Sequence, residues 1–205
     1  MWREIRMTTL SGPSHTSAVL LRNAVHGDAE ALGALLEKLR PWLRVLAEGM
    51  LNSRIAARLD ASDVVQQTCL SVHRRLGQFE GAGVATFMAW VREIHRNNVR
   101  DEVRRHLQAE ERAVDKERPL DPCLSDFRDN GSGARRSMQL GEETVFLART
   151  MERLPPSQRK AVAMRYLEEL PVSQIAVLME ISEDAVTSLL RRGLQRLREW
   201  MRESD

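Results

Sequence analysis

The chain has 205 residues, 42% hydrophobic and 29% charged, which is enough to fill a core beneath a soluble surface. Aromatics at 4%, with only 11 glycines and 7 prolines, argue against sandwiches, barrels and propellers, which need many turns and many aromatic or β-branched positions. A balance of 31 basic against 29 acidic residues leaves a net charge of +2, too small to name a partner, so local placement of charge has to do so.

No apolar run approaches the roughly 18 residues of a membrane span, and no apolar stretch of an export signal follows residues 1–6. Two cysteines, Cys69 and Cys123, cannot make a disulfide framework in a chain this long. These features predict a reduced, cytoplasmic protein with no membrane insertion.

Residues 1–16 are predicted to be a disordered tail. A first helix over 17–26 breaks at Gly27, and Asp28 caps a second with Leu32, Leu35, Leu36 and Leu39 on one face. Pro41 suits the first turn of a third helix, over 42–52. Asp60 or Ser62 opens a fourth, with Val65, Cys69, Val72 and Leu76 as its apolar stripe. After Gly77 and a glycine-rich loop at 81–83, a long helix starts near Thr86 and carries Phe87, Trp90, Val91, Ile94, Val99 and Val103.

Residues 115–141 lose this periodicity and gather Pro, Gly, Asp and Ser, so they are predicted to be a flexible linker. Helical periodicity resumes at Thr144 and stops at Pro155-Pro156, after which Ser157 is expected to cap a helix over 158–167. A short helix over 173–179, a turn at Glu180-Ile181 and a last helix capped by Ser182 complete the chain. The expected fold is all-α: one helical unit at 17–114 and a second at 142–205, joined by the linker.

Two features carry chemistry. In the second unit, a short helix, a tight turn and a longer helix with Ile181, Val186 and Leu190 inside have the layout of a helix-turn-helix. Arg191, Arg192, Arg196, Arg198 and Arg202 supply positive charge for phosphates. A helical hairpin with a solvated basic face would show the same pattern. In the first unit, Arg92, Arg96, Arg100 and Arg104 recur every four residues on one helix face, beside Asn97 and Arg105. Either they pair with Glu93, Asp101 and Glu102, or they track a nucleic-acid backbone while Phe87 and Trp90 shape a surface for unpaired bases.

Together these residues resemble bacterial RNA polymerase sigma factors of the sigma-70 family, extracytoplasmic-function group. The segment 60–68 (DASDVVQQT) resembles the polymerase-binding segment. Phe87, Trp90-Val91, Ile94, Arg96-Asn97, Asp101 and Arg104-Arg105 resemble the promoter-melting helix. The segments 154–159 (LPPSQR) and 165–168 (RYLE), followed by the helix-turn-helix, resemble the C-terminal domain. The likeness covers about 20–110 and 142–200 in the family's order, and Ala185-Val186 with 191–194 (RRGL) is similar to a branch expanded in planctomycetes.

The resemblance implies that 17–114 is sigma region 2 and 142–205 is sigma region 4. Asp60, Asp63, Gln66 and Gln67 would meet the clamp helices of the polymerase β′ subunit. Phe87, Trp90, Arg96, Asn97, Arg100 and Arg104 would hold the minus-ten strand, with the 78–86 loop lining a pocket for a flipped base. Ser182, Glu183, Thr187, Ser188, Arg191 and Arg192 would face the minus-thirty-five duplex while the domain leans on the β flap. The linker would thread toward the active cleft, and an anti-sigma factor is a further partner of the family.

Three places depart from the pattern. Glu180 replaces a common turn glycine, Thr187 and Leu189 replace frequent basic residues, and Gln67 replaces a frequent glutamate. The expected mechanism needs neither cofactor nor metal. Cys69 and His73 share a helix without a second ligand pair, the remaining histidines are scattered, and Glu168-Glu169 reads as a solvated helix end rather than an acid-base pair. One rival reading is a stand-alone helix-turn-helix regulator, which has no use for the segment 60–105; another is an inhibitory partner that binds polymerase and never initiates.

Overall fold

A computed structural model describes residues 14–51, 59–113 and 141–203. All regular structure there is helical: α1 (Ser14–Val25), α2 (Ala29–Met50), α3 (Ala61–Arg75), α4 (Val84–Ala113), α5 (Glu142–Glu152), α6 (Pro156–Tyr166), α7 (Val172–Met179) and α8 (Glu183–Glu203), with a short 3-10 turn (Leu76–Gln78) after α3. The linker expected at 115–141 and Cys123 within it lie outside the described residues, apart from Gly141. So does the tail up to residue 13; α1 already begins at Ser14.

Local chemistry explains most boundaries. Gly27 adopts a positive φ of 98°, which closes α1. Asp28 Oδ1 then accepts the Glu30 and Ala31 N–H groups at 3.0 Å each and starts α2. Asp60 caps α3 in the same way, accepting Ser62 N–H at 2.8 Å. Ser182 caps α8 by accepting Ala185 N–H at 3.2 Å.

Two boundaries differ from expectation. Pro41 does not begin a new helix; it lies inside α2, which runs unbroken for 22 residues. The continuous stripe of Leu32, Leu35, Leu36, Leu39, Trp42, Leu43 and Leu46, all buried, outweighs the hydrogen bond that proline removes. Ser157 does not cap α6, because Pro156 takes the first helical position with Pro155 before it, and neither offers a capping side chain.

Helix α2 is the spine. It packs against α1, α3 and α4 of the first unit and against α5 and α6 of the second, so one apolar cluster runs from Leu21 through Trp42 to Val162 and Leu197. Close approach to α6 depends on Gly49, where an added Cβ would stand 3.2 Å from Ala163 Cβ. Glu48 beside it receives Arg159 of α6, with Nη2 to Oε1 at 3.1 Å.

The turn between α7 and α8 keeps the left-handed geometry that glycine would favour, with Glu180 at φ 57° and ψ 41°. A residue with a Cβ there costs roughly 1–2 kcal/mol, against about 0.5–1 kcal/mol of extra chain entropy for glycine. Glu180→Gly is therefore expected to stabilise the protein by roughly 0.5–1 kcal/mol in denaturant melts. An unchanged midpoint would mean that the glutamate side chain contributes as much as the strain removes.

Candidate polymerase and nucleic-acid interface

Helix α3 divides cleanly. Val64, Val65, Thr68, Ser71 and Val72 are buried, while Asp60, Asp63, Gln66 and Gln67 face solvent as one polar edge. Asp60 is partly committed, since one of its oxygens caps the helix, and the Ser62 backbone N–H holds its carboxyl below the usual range. Leu70 joins this edge with 52% exposure. Sequence reading passes it over, although it lies off the apolar stripe and one turn beyond Gln66 and Gln67.

Helix α4 packs against α3 and buries Phe87, Val91, Ile94, Val99 and Val103. Phe87, expected to face DNA, does not. It is fully buried and meets Phe79 edge-to-face at 5.4 Å, because the helix needs an aromatic there to fill the space under the loop. Trp90 is half-buried, 5.4 Å from Phe79 and 5.9 Å from Phe87, so a three-ring cluster supports the loop. The chain passes so close over Phe79 that a Cβ on Gly81 would stand 2.7 Å from its ring.

The arginine stripe is uneven. Arg104 and Asn97 are exposed, and Arg104 lies 3.9 Å from Asp101 in a pair weak enough for solvent to break. Arg96 meets Glu93 at 3.4 Å. At the other end the stripe is covered: Arg92 Nη2 donates to the Leu167 carbonyl and to Glu168 Oε1 at 3.2 Å, and Arg96 Nη2 lies 3.9 Å from Glu168 Oε2. Glu168 is thus no solvated helix end, as its side chain is only 2% exposed. The two arginines compensate its burial, a partnership across 76 residues that local sequence does not announce.

Between α3 and α4 lies a buried polar node that sequence reading misses. Thr68 Oγ1 donates to the Val64 carbonyl and sits 2.8 Å from His95 Nδ1, while Asn98 Nδ2 donates to Thr68 Oγ1 at 3.2 Å and to Ser71 Oγ at 3.3 Å. The available signal is the matched spacing of Thr68/Ser71 and His95/Asn98, each pair one turn apart on facing helices. Burial pushes the His95 imidazole down to about 4, with the Leu43 backbone offsetting only part of that effect. Cys69 is half-buried, and burial raises its thiol pKa, which makes it a poor nucleophile.

In the second unit, α8 turns Val186, Leu190, Gly193 and Leu197 inward. Ser182, Glu183, Thr187, Arg191 and Arg192 line the exposed side, and Ser188 is half-buried with its carbonyl accepting Arg192 Nε at 3.2 Å. The expected basic face is present, and α7 braces it through Ile175 and Ala176, both buried.

The Sigma-70 region 2 description matches residues 35–108, and the Sigma-70 region 4 description matches residues 147–197, one in each helical unit. The chain belongs to the sigma-70 family. This sigma factor binds core RNA polymerase and promoter DNA and directs promoter recognition and transcription initiation.

Among its relatives, the ECF RNA polymerase sigma factor SigD of Mycobacterium tuberculosis is 25% identical over 202 residues, 95% of this chain and 91% of that one. CarQ of Myxococcus xanthus is 28% identical over 160 residues, 77% of this chain and 84% of that one. The probable RNA polymerase sigma factor RfaY of Xanthomonas campestris is 27% identical over 179 residues, 84% of this chain but 41% of that longer protein. A match in region 2 removes the first rival reading, since a stand-alone helix-turn-helix regulator has no such region.

Proposed function

We infer that the sigma factor divides its work by helix and acts without covalent chemistry of its own. The polar edge of α3 (Asp60, Asp63, Gln66 and Gln67, with Leu70 at its end) docks on the β′ clamp helices. The α4 stripe, from the partly covered Arg96 through Asn97 and Arg100 to the exposed Arg104, holds the backbone of the melted minus-ten strand. The 79–83 loop over the Phe79–Phe87–Trp90 cluster receives a flipped base, which must repay a few kcal/mol of lost stacking. Helix α8 presents Ser182, Glu183, Thr187, Ser188, Arg191 and Arg192 to the minus-thirty-five duplex, with the same domain against the β flap.

The assignment of 17–114 and 142–205 as the two working domains, with 115–141 as the strap between them, belongs to this reading. So do its place in the cytoplasm and control by an anti-sigma factor. One observation carries the reading: within a single unit, two helices packed on each other expose different chemistry, an uncharged-to-acidic edge on α3 and an arginine row on α4, so protein and nucleic acid have separate surfaces.

The deciding experiment is transcription from genomic DNA with core polymerase, which is expected to yield discrete starts only when this subunit is added. Starts that do not depend on it would overturn the reading. In a separate duplex-binding titration, replacing Arg191 and Arg192 with alanine is expected to flatten the salt dependence of binding by about 0.9 logarithmic units for each phosphate left without its cation. An unchanged slope in a salt titration would remove both residues from the interface.

A further inference from the structure

The covered end of the arginine stripe is a built anion site. Arg92 and Arg96 stand one helical turn apart on α4, and their guanidinium groups converge on one carboxylate, Glu168, whose side chain is 2% exposed. Arg92 also donates to the Leu167 carbonyl at the C-terminal end of α6, where helix carbonyls lack partners. The occupant does not satisfy the site. The Nε atoms of both arginines are buried with no acceptor, so donors outnumber the oxygens that a single carboxylate brings. Arginine forks bind phosphate and carboxylate by the same two-pronged geometry, and a phosphodiester would add the missing acceptors.

We propose that Arg92 and Arg96 form a phosphate site for the single-stranded nucleic-acid backbone, and that Glu168 fills this site as a stand-in while region 4 is packed on region 2. Docking of the two regions and capture of the strand by α4 then exclude each other. This rests on the reading of α4 as the helix that holds the melted strand, and it extends that reading to Arg92 and to Glu168 of the other region. The rest of the seam is a close, largely apolar contact between α2 and the helices of region 4. Gly49 lets α6 approach α2, and the Glu48–Arg159 pair lies at its edge with side chains 23% and 17% exposed, so water reaches it as soon as the seam opens.

The test uses the full chain and a fluorescein-labelled single-stranded DNA of about 15 nucleotides and mixed sequence, since a backbone site is indifferent to bases. Fluorescence anisotropy is expected to show Glu168→Gln binding at least about fivefold tighter than the unaltered protein, from loss of a close charge pair in the competing state. The gain is expected to vanish when Arg92→Ala is added. Gly49→Leu, which wedges the same seam while leaving every charge in place, is expected to tighten binding in the same direction and to enlarge the radius of gyration in small-angle scattering.

Unchanged affinity in both Glu168→Gln and Gly49→Leu would overturn the proposal, as would a Glu168→Gln gain that survives without Arg92. Promoter-dependent starts from the unaltered protein alongside either result would sink only this proposal. Absence of those starts would sink the underlying reading instead.

Discussion

Acidification from about pH 7 to about pH 4.5 is expected to cost the fold about 2–3 kcal/mol through His95 alone. The imidazole lies fully buried between α3 and α4 and titrates near 4 in the fold, against 6.5 when free. Between those values the unfolded chain binds a proton that the native state refuses, so stability rises with pH across the window. It is complete above the unfolded value, drains as the pH falls from 6.5 toward 4, and levels off below that. Carboxylates titrate in part of the same range, so the measurement is a difference: urea melts of the unaltered protein and of His95→Gln at several pH values. The gap between them is expected to narrow on acidification as the unaltered protein loses its advantage. Parallel curves would mean that the histidine is charged, or solvated, inside the fold.

The second large effect is steric. Gly193 is buried on the inner face of α8, and a Cβ there would stand 2.9 Å from Val162 Cγ2 and 3.6 Å from Gln158 Cβ on α6. Val162 cannot swing away, because it is 1% exposed and its branched side chain has essentially one rotamer in a helix. Gly193→Leu is therefore expected to destabilise the protein by about 2–3 kcal/mol. Gly33 in α2 meets nothing within 4 Å, so Gly33→Ala is expected to gain about 1 kcal/mol from helix propensity. Opposite signs in denaturant melts check both; a neutral Gly193→Leu would show that α6 and α8 can move apart cheaply.

What is legible in the sequence is whatever a few neighbouring residues decide. Asp28, Asp60 and Ser182 announce their caps, and Glu180 announces a turn that would be strained, because each concerns backbone groups within three residues. The polar edge of α3 and the arginine row of α4 follow from helical spacing. Pro41 misleads because local chemistry predicts a boundary, whereas the buried face spanning Leu32 to Leu46 belongs to one packed helix. Phe87 misleads because an aromatic beside basic residues looks the same in sequence whether it stacks on a base or on Phe79. Glu168 and the Thr68–His95–Asn98 node depend on helices meeting across tens of residues, a fact that spacing along one helix does not contain.

Helix α2 serves both halves at once, packing against helices of the first unit and of the second. Parting the halves therefore leaves a greasy groove bare on that shared rod, and water makes such exposure short-lived. An opened molecule has to trade one cover for another: it either snaps shut or is held apart by a much larger surface that takes up the vacated flank.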